Sequence, residues 1–114
     1  MSLGGKIAKL DLGIVYRGNT LKGFNFKVFE GDVTLHPTGF CMWLVGNNGV
    51  LLHDYSSEII VGSDGMIHIP DILTTTSYPL GTCRFDIKFS FPNGEVETFI
   101  VGSVVVRKGV SECQ

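Results

Sequence analysis

The residue types of a hydrolytic triad occur together at one point of this chain, where His53 and Asp54 are followed by Ser56 and Ser57. In such a triad the histidine takes the proton of the serine hydroxyl, while the carboxylate orients the histidine ring. Adjacent side chains of a strand point to opposite faces, so residues this close in sequence do not easily converge on one reacting atom. The spacing favours a solvated hairpin end, and we predict no enzymatic activity.

Metal and cofactor sites also lack the spacing that they need. The three histidines are far apart in sequence, and His68 alternates with isoleucines as an outward strand residue does. Calcium loops repeat oxygen ligands that the residues around Asp32 and Asp64 do not supply. The glycine-rich segment 46–49 opens no helix that could hold a phosphate. We therefore predict neither a metal nor a cofactor.

Aromatic side chains in or beside predicted loops are the remaining functional residues. Tyr16, Tyr55 and Tyr78 can anchor a partner or stack on a sugar, and Arg17 follows the first of them. The alternative is that each tyrosine covers an open end of the fold, with its hydroxyl reaching water.

The elements that must position these side chains are strands, and residues 81–106 have the clearest pattern. Apolar and polar residues alternate over residues 84–91, which is the period of a strand with one face in a core. Asn93 and Gly94 then tolerate the backbone of a tight turn, and the alternation resumes over residues 96–100. These residues predict an antiparallel hairpin near the C-terminus.

Turn residues also divide the rest of the chain. The segments 46–49 and 63–65 are typical of the tight turns of two more antiparallel hairpins, so we expect antiparallel pairing throughout. Residues 70–80 resist a strand interpretation and are compatible with a single helical turn, which Pro79 would end. The remaining strands are predicted at residues 10–15, 24–28, 33–35, 40–45, 50–54, 58–61 and 66–69.

Strand spacing and glycine content define the predicted fold. Strands about ten residues apart, with 15 glycines among 114 residues, indicate an immunoglobulin-like antiparallel β-sandwich of seven to eight strands. Residues 1–114 form one domain, with 1–9 and 109–114 as flexible ends. The strand at 40–45 is apolar on both faces, so we predict a central strand with Trp43 as a core anchor between the sheets.

Composition limits the partners and the compartment. The net charge is −2, and the nine basic residues are dispersed, so nucleic-acid binding is disfavoured. No apolar stretch has the length of a membrane span or a secretory signal, which predicts a protein made and kept in the cytoplasm or assembled there. Cys41 and Cys83 are expected to be reduced and buried, with a disulfide between them as the alternative. Cys113 is expected to be mobile.

Residues 100–106 are apolar enough to promote aggregation at an exposed sheet edge. Arg107 and Lys108 follow as charges that discourage such pairing. We expect either an interior strand or an edge that another subunit covers.

Short motifs follow one another in a distinctive order over nearly the whole chain. They are Tyr-Arg-Gly-Asn-Thr at 16–20, Val-Thr-Leu at 33–35, Thr-Gly at 38–39, Asp-Gly at 64–65, Gly-Thr at 81–82, Phe-Asp-Ile at 85–87, Asn-Gly at 93–94 and Gly-Ser-Val-Val-Val at 102–106. This order resembles the immunoglobulin-like structural domains of tailed-phage virion proteins, in particular the N-terminal domain of baseplate upper proteins. Cys83 departs from that family, which has an aromatic residue at this position.

The resemblance implies a non-enzymatic virion component that serves as an adaptor or attachment module in a phage tail, neck, baseplate or fibre. Its loops and one exposed strand edge would dock onto other virion proteins or further copies of the chain. Tyr16, Arg17, Tyr55 and Tyr78 are the predicted contacts, and the virion, assembled in the host cytoplasm, is the predicted location.

A small carbohydrate-binding β-sandwich is the alternative function. It would use Tyr55 and Tyr78 as stacking platforms for a glycan, with Asp54 and Asn47 as hydrogen-bond partners.

Overall fold

The computed structural model describes residues 8–109, and these residues form strands and turns without a helix. The predicted all-β fold is confirmed. The strands number ten rather than seven to eight, because several pairings are only two or three residues long. The strands are β1 (Ala8–Tyr16), β2 (Phe24–Phe26), β3 (Phe29–Glu30), β4 (Val33–Thr34), β5 (Gly39–Val45), β6 (Leu51–Asp54), β7 (Ile60–Val61), β8 (Ile67–Ile69), β9 (Gly81–Ser90) and β10 (Val96–Arg107).

Two sheets pack face to face as a sandwich. The large sheet has the strand order β1-β10-β9-β5-β6, the small sheet has the order β2-β8-β7, and β3 and β4 form a separate ribbon. The ring of Phe24 lies 6.2 Å from that of Phe85, and the ring of Phe26 lies 5.9 Å from that of Phe89. These aromatic pairs join β2 to β9 and close the core between the sheets.

The three predicted hairpins are confirmed, since β9–β10, β5–β6 and β7–β8 all pair antiparallel. In the last turn of the chain Gly94 has a φ of 88°. The N–H of Phe91 donates to the carbonyl of Glu95 at 3.0 Å, and the N–H of Glu95 donates to Oδ1 of Asn93 at 3.0 Å. Local turn chemistry therefore determines this register.

Strand β1 corrects the expectation of antiparallel pairing throughout, because it lies parallel to β10. Its register shifts between Asp11 and Ile14, where Gly13 has a φ of 77° and its N–H donates to Oδ1 of Asp11 at 2.7 Å. Parallel strands are not joined by a tight turn, so no turn motif in the sequence predicts this pairing. Strand β10 lies between β1 and β9, so the interior alternative for residues 100–106 is correct.

The predicted flexible ends fall mainly outside the described residues. Residues 1–7 and 110–114, including Cys113, are not among them. Ala8 and Lys9, which were predicted to belong to the flexible N-terminal end, are part of β1.

Trp43 is the main correction in the core. Strand β5 is an interior strand between β9 and β6, whereas the central strand of the sheet is β9, and the inward side chains of β5 are Met42 and Leu44. Trp43 lies between them in sequence, so it points to the opposite face, where 49% of it is exposed. A strand that is apolar on both faces does not reveal which set of alternate residues enters the core.

The two described cysteines also lie on opposite faces of the large sheet. Cys83 is buried in the core, whereas Cys41 is exposed beside Trp43, contrary to the prediction that both are buried. Both are free thiols, so the disulfide alternative is wrong.

Residues 70–80 form turns rather than the single helical turn considered above. The fully buried hydroxyl of Thr75 donates to the carbonyl of Asn19 and accepts from the N–H of Gly18, both at 2.9 Å. Ile72 also forms an isolated bridge with Leu21. The segment therefore packs against the loop at residues 16–20 and holds it in place.

Candidate functional site

A groove of about 850 Å³ lies on the outer face of the large sheet, which is the face turned away from the small sheet. We call it the outer-face groove. Its outward side chains are Lys9 and Asp11 of β1, Val101 and Ser103 of β10, Arg84, Asp86 and Lys88 of β9, and Cys41, Trp43 and Val45 of β5.

Strand register places Trp43 beside acidic groups on both neighbouring strands. Trp43 is directly opposite Asp86 of β9 and Asp54 of β6. Directly opposite residues have Cβ atoms about 5 Å apart. Arg84 and Lys88 lie two residues before and after Asp86, so they share its face. The indole thus stands next to one carboxylate that has a cation on each side.

Asp54 lies opposite the indole on the β6 side and is itself hydrogen-bonded. Its Oδ1 accepts a hydrogen bond from the N–H of Ser56 at 2.9 Å, and the hydroxyl of Ser56 accepts from the N–H of Met42 at 3.1 Å. Hydrogen bonds from Ser56 hold the pKa of Asp54 below its ordinary value, and the indole of Trp43 makes a smaller contribution in the same direction. Asp54 therefore stays ionised beside the exposed ring at neutral pH.

The polar side chains on the other side of the indole have no partner within the part of the chain that the structure describes. Arg84 and Lys88 are exposed and Asp86 is half-buried, and no ion pair or side-chain hydrogen bond engages them there. Within residues 8–109 their charged ends are therefore unpaired.

The four predicted contact residues do not form one surface. Tyr16 is 49% exposed, and Arg17 beside it is half-buried. Tyr55 and Tyr78 are only 4% and 6% exposed, so the prediction that they present their rings to a partner is wrong. Burial raises the pKa of both phenols, because it disfavours the charged form.

The sugar site predicted on Tyr55 and Tyr78 is not formed, because neither ring offers an open face. Asp54 and Asn47 are exposed, as that prediction required. The stacking residue that the structure offers is Trp43, which was assigned to the core. Its only sequence signal was the apolar character of both faces of residues 40–45.

The triad residue types are not assembled for catalysis. Nε2 of His53 lies 2.6 Å from Oε1 of Glu58, and Asp54 accepts from Ser56.

His68 is exposed, as predicted, and its Nδ1 lies 2.9 Å from Oδ1 of Asn25. Among residues 8–109 no three His, Cys, Asp or Glu side chains cluster so that they could hold a metal ion. The same residues include no helix with the length and apolar character of a membrane span.

The fold defines the class of protein, which is a small all-β sandwich. No family model matches the chain. No curated protein matches it. The chain is similar in fold to CopC from Methylosinus trichosporium OB3b, with a TM-score of 0.51 over 87% of this chain and 88% of that one. The sequences are 8% identical, so the likeness shows the fold alone.

Proposed function

We propose that the protein is a non-enzymatic structural or adaptor protein of a phage virion, in the tail, neck, baseplate or fibre, and that it acts through protein–protein contacts. The order of motifs from residues 16–20 to residues 102–106 supports this proposal. Its partners are other virion proteins and, within the particle, further copies of the chain.

The observation that carries the proposal is an exposed apolar surface at one end of the sandwich, which we call the Tyr16 surface. It consists of Ile14 and Tyr16 at the end of β1, each 49% exposed, and Leu73, which is 78% exposed. The hydroxyl of Thr20 donates to the carbonyl of Leu73 at 3.1 Å, so the loop and the turn segment adjoin. Large exposed apolar side chains on adjoining segments are typical of protein–protein contact sites.

The Tyr16 surface is held rigid from beneath. Thr75 is fully buried and bonds both Gly18 and Asn19, so the loop needs little ordering when a partner docks. Arg17, half-buried at the margin, is suited to the polar rim that surrounds an apolar contact. A preformed surface on a rigid sandwich suits a spacer between larger components.

Binding to phage particles prepared without the protein tests this function. We expect the wild type to bind, and a Tyr16→Ala, Leu73→Ala double variant to bind at least about tenfold more weakly, as is typical when interface anchors are truncated. Val96→Ala is the matched control, since Val96 is 63% exposed at the opposite end of β10.

The outcomes separate the function from the contact surface. Failure of the wild type to bind particles, together with its absence from mature virions by mass spectrometry, would overturn the virion function. Equal binding of the wild type and the double variant would overturn only the Tyr16 surface.

A further inference from the structure

We propose that the outer-face groove is a glycan-binding site in which a sugar ring stacks on Trp43. This inference goes beyond the proposed virion function and uses a different part of the molecule. Trp43 carries the inference, because tryptophan has the largest apolar side chain and 49% of Trp43 is exposed to water on an interior strand of the large sheet. Trp43 is also the chain's single tryptophan.

The indole is carried at a fixed place on the large sheet. Asp54, whose carboxyl accepts from the N–H of Ser56, lies directly opposite Trp43 on the β6 side. Backbone pairing with β9 and β6 holds the strand that carries it. Because this strand is paired on both sides, little of the backbone needs ordering on binding, and the exposed face of the ring can serve as a platform.

Hydrogen-bonding groups lie beside this platform. A sugar ring has one face of C–H groups, which suits an aromatic surface, and a rim of hydroxyls that both donate and accept hydrogen bonds. Asp86 can accept from a hydroxyl, and Arg84 and Lys88 can donate to one. Alternate residues of a strand are about 7 Å apart, which places these three groups along one side of a ring stacked on Trp43.

The outer-face groove has the size of a small-ligand site. Its volume of about 850 Å³ lies within the range of small-ligand pockets, which is roughly 300–1,000 Å³, and one or two sugar rings fit it. Four strands span about 14 Å, and the distance from Arg84 to Lys88 is about 13 Å. A surface with sides of these two lengths is well below the roughly 800 Å² that each partner contributes to a stable protein interface.

Charges of both signs surround the groove. Lys9, Arg84 and Lys88 are cationic and Asp11 and Asp86 are anionic, so the two signs are interspersed around the groove. A nucleic-acid strand or an anionic membrane surface requires a predominantly basic face. Interspersed donors and acceptors around an aromatic ring instead match the hydroxyls of a saccharide.

Fluorescence of the single tryptophan gives a direct test. The probes are a panel of mono- and oligosaccharides that contain neutral hexoses, N-acetylhexosamines or uronic acids, titrated into the full chain at millimolar concentrations. We expect at least one member to shift the Trp43 emission saturably, with a matching heat by calorimetry. If no member of the panel changes the emission, the proposal is wrong.

Variants locate the binding and are compared by calorimetry. Trp43→Ala should weaken binding of the active sugar at least about tenfold, Trp43→Phe should retain part of it, and Asp86→Asn should weaken it by about tenfold. Tyr16→Ala is the matched control, because Tyr16 has the same exposed fraction on the same sheet but lies outside the groove. Its sugar affinity should equal that of the wild type.

Unchanged affinity in Trp43→Ala, with circular dichroism showing a folded protein, would overturn the site even if a sugar binds elsewhere. The two proposals fail separately. The Tyr16→Ala, Leu73→Ala variant should lose particle binding and keep sugar binding, whereas Trp43→Ala should do the reverse.

Discussion

At the scale of single residues, Asp54 lies beside the outer-face groove, where it is hydrogen-bonded to Ser56 and faces Trp43 across the strand pair. Its carboxyl accepts from Ser56, whose hydroxyl accepts from the N–H of Met42, and it lies opposite Trp43. The same carboxyl thus joins the end of β6 to the centre of β5. Its ionised form accepts the hydrogen bond from Ser56 more strongly than the neutral acid does, so its contribution to stability depends on pH.

We expect Asp54→Asn to reduce the loss of stability at low pH. The pKa of Asp54 is lower in the folded protein than in the unfolded chain, so its ionised form contributes stability above the unfolded pKa of about 4. That contribution disappears as the pH falls through the folded pKa. Urea denaturation at pH 7 and pH 3 should therefore show a smaller difference in the free energy of unfolding for the variant than for the wild type.

Asp32→Asn is the control, because Asp32 is exposed in the turn between β3 and β4. For Asp32→Asn, the difference in the free energy of unfolding between pH 7 and pH 3 should match that of the wild type. If the stability of Asp54→Asn depends on pH as that of the wild type does, the hydrogen bonds of Asp54 make no measurable contribution to stability.

At the scale of elements, β10 determines how the large sheet is assembled. It pairs parallel with β1 on one side and antiparallel with β9 on the other, so both of its edges are hydrogen-bonded. Gly102 lies opposite Leu10 of β1 and Phe85 of β9. A Cβ built at Gly102 would clash with the ring of Phe85 and would lie 2.7 Å from the carbonyl oxygen of Leu10.

Gly102→Ala should therefore destabilise the protein by about 1–3 kcal/mol, which is the usual cost of overpacking. Neighbouring strands on both sides prevent β10 from moving away. Gly39→Ala is the control, because a Cβ at Gly39 meets only Ser90 at 3.5 Å or more. Guanidinium denaturation measures the difference in stability between the two variants. Equal midpoints would show that β10 can shift to accommodate the added methyl group.

At the scale of the whole molecule, β1 closes the sandwich by covering an aggregation-prone strand. Residues 100–106 are apolar, and the pairing of residues 8–11 and 14–16 with β10 removes the edge that they would otherwise present. The new edge of the sheet is β1 itself. The bulge at Gly13 interrupts its regular pairing, which makes it a poorer template for another chain.

Light scattering across a concentration series should give the isolated full chain a mass near its 12.4 kDa monomer. A variant without residues 1–16 exposes the edge of β10, and its mass should rise with concentration. A variant without residues 1–7 is the control and should behave as the full chain does. If the variant without residues 1–16 is folded and remains monomeric, the covering role of β1 is wrong.

Local chemistry in the sequence determined the hairpins and the all-β class. Asn93 and Gly94 form their turn through their own backbone preferences, and the alternation in residues 84–91 assigns Phe85 and Phe89 to the core without reference to distant residues. The outward position of His68 followed from the same period of two.

Only the tertiary structure decided which face of β5 is buried and which strand lies beside β10. Residues 40–45 are apolar on both faces, so the burial of Met42 and Leu44 in the core, rather than the pattern, placed Trp43 outside. Tyr55 and Tyr78 are adjacent to turns, yet neighbouring elements cover them. The parallel pairing of β1 with β10 joins the two ends of the chain, and no short-range preference of the backbone specifies such a contact.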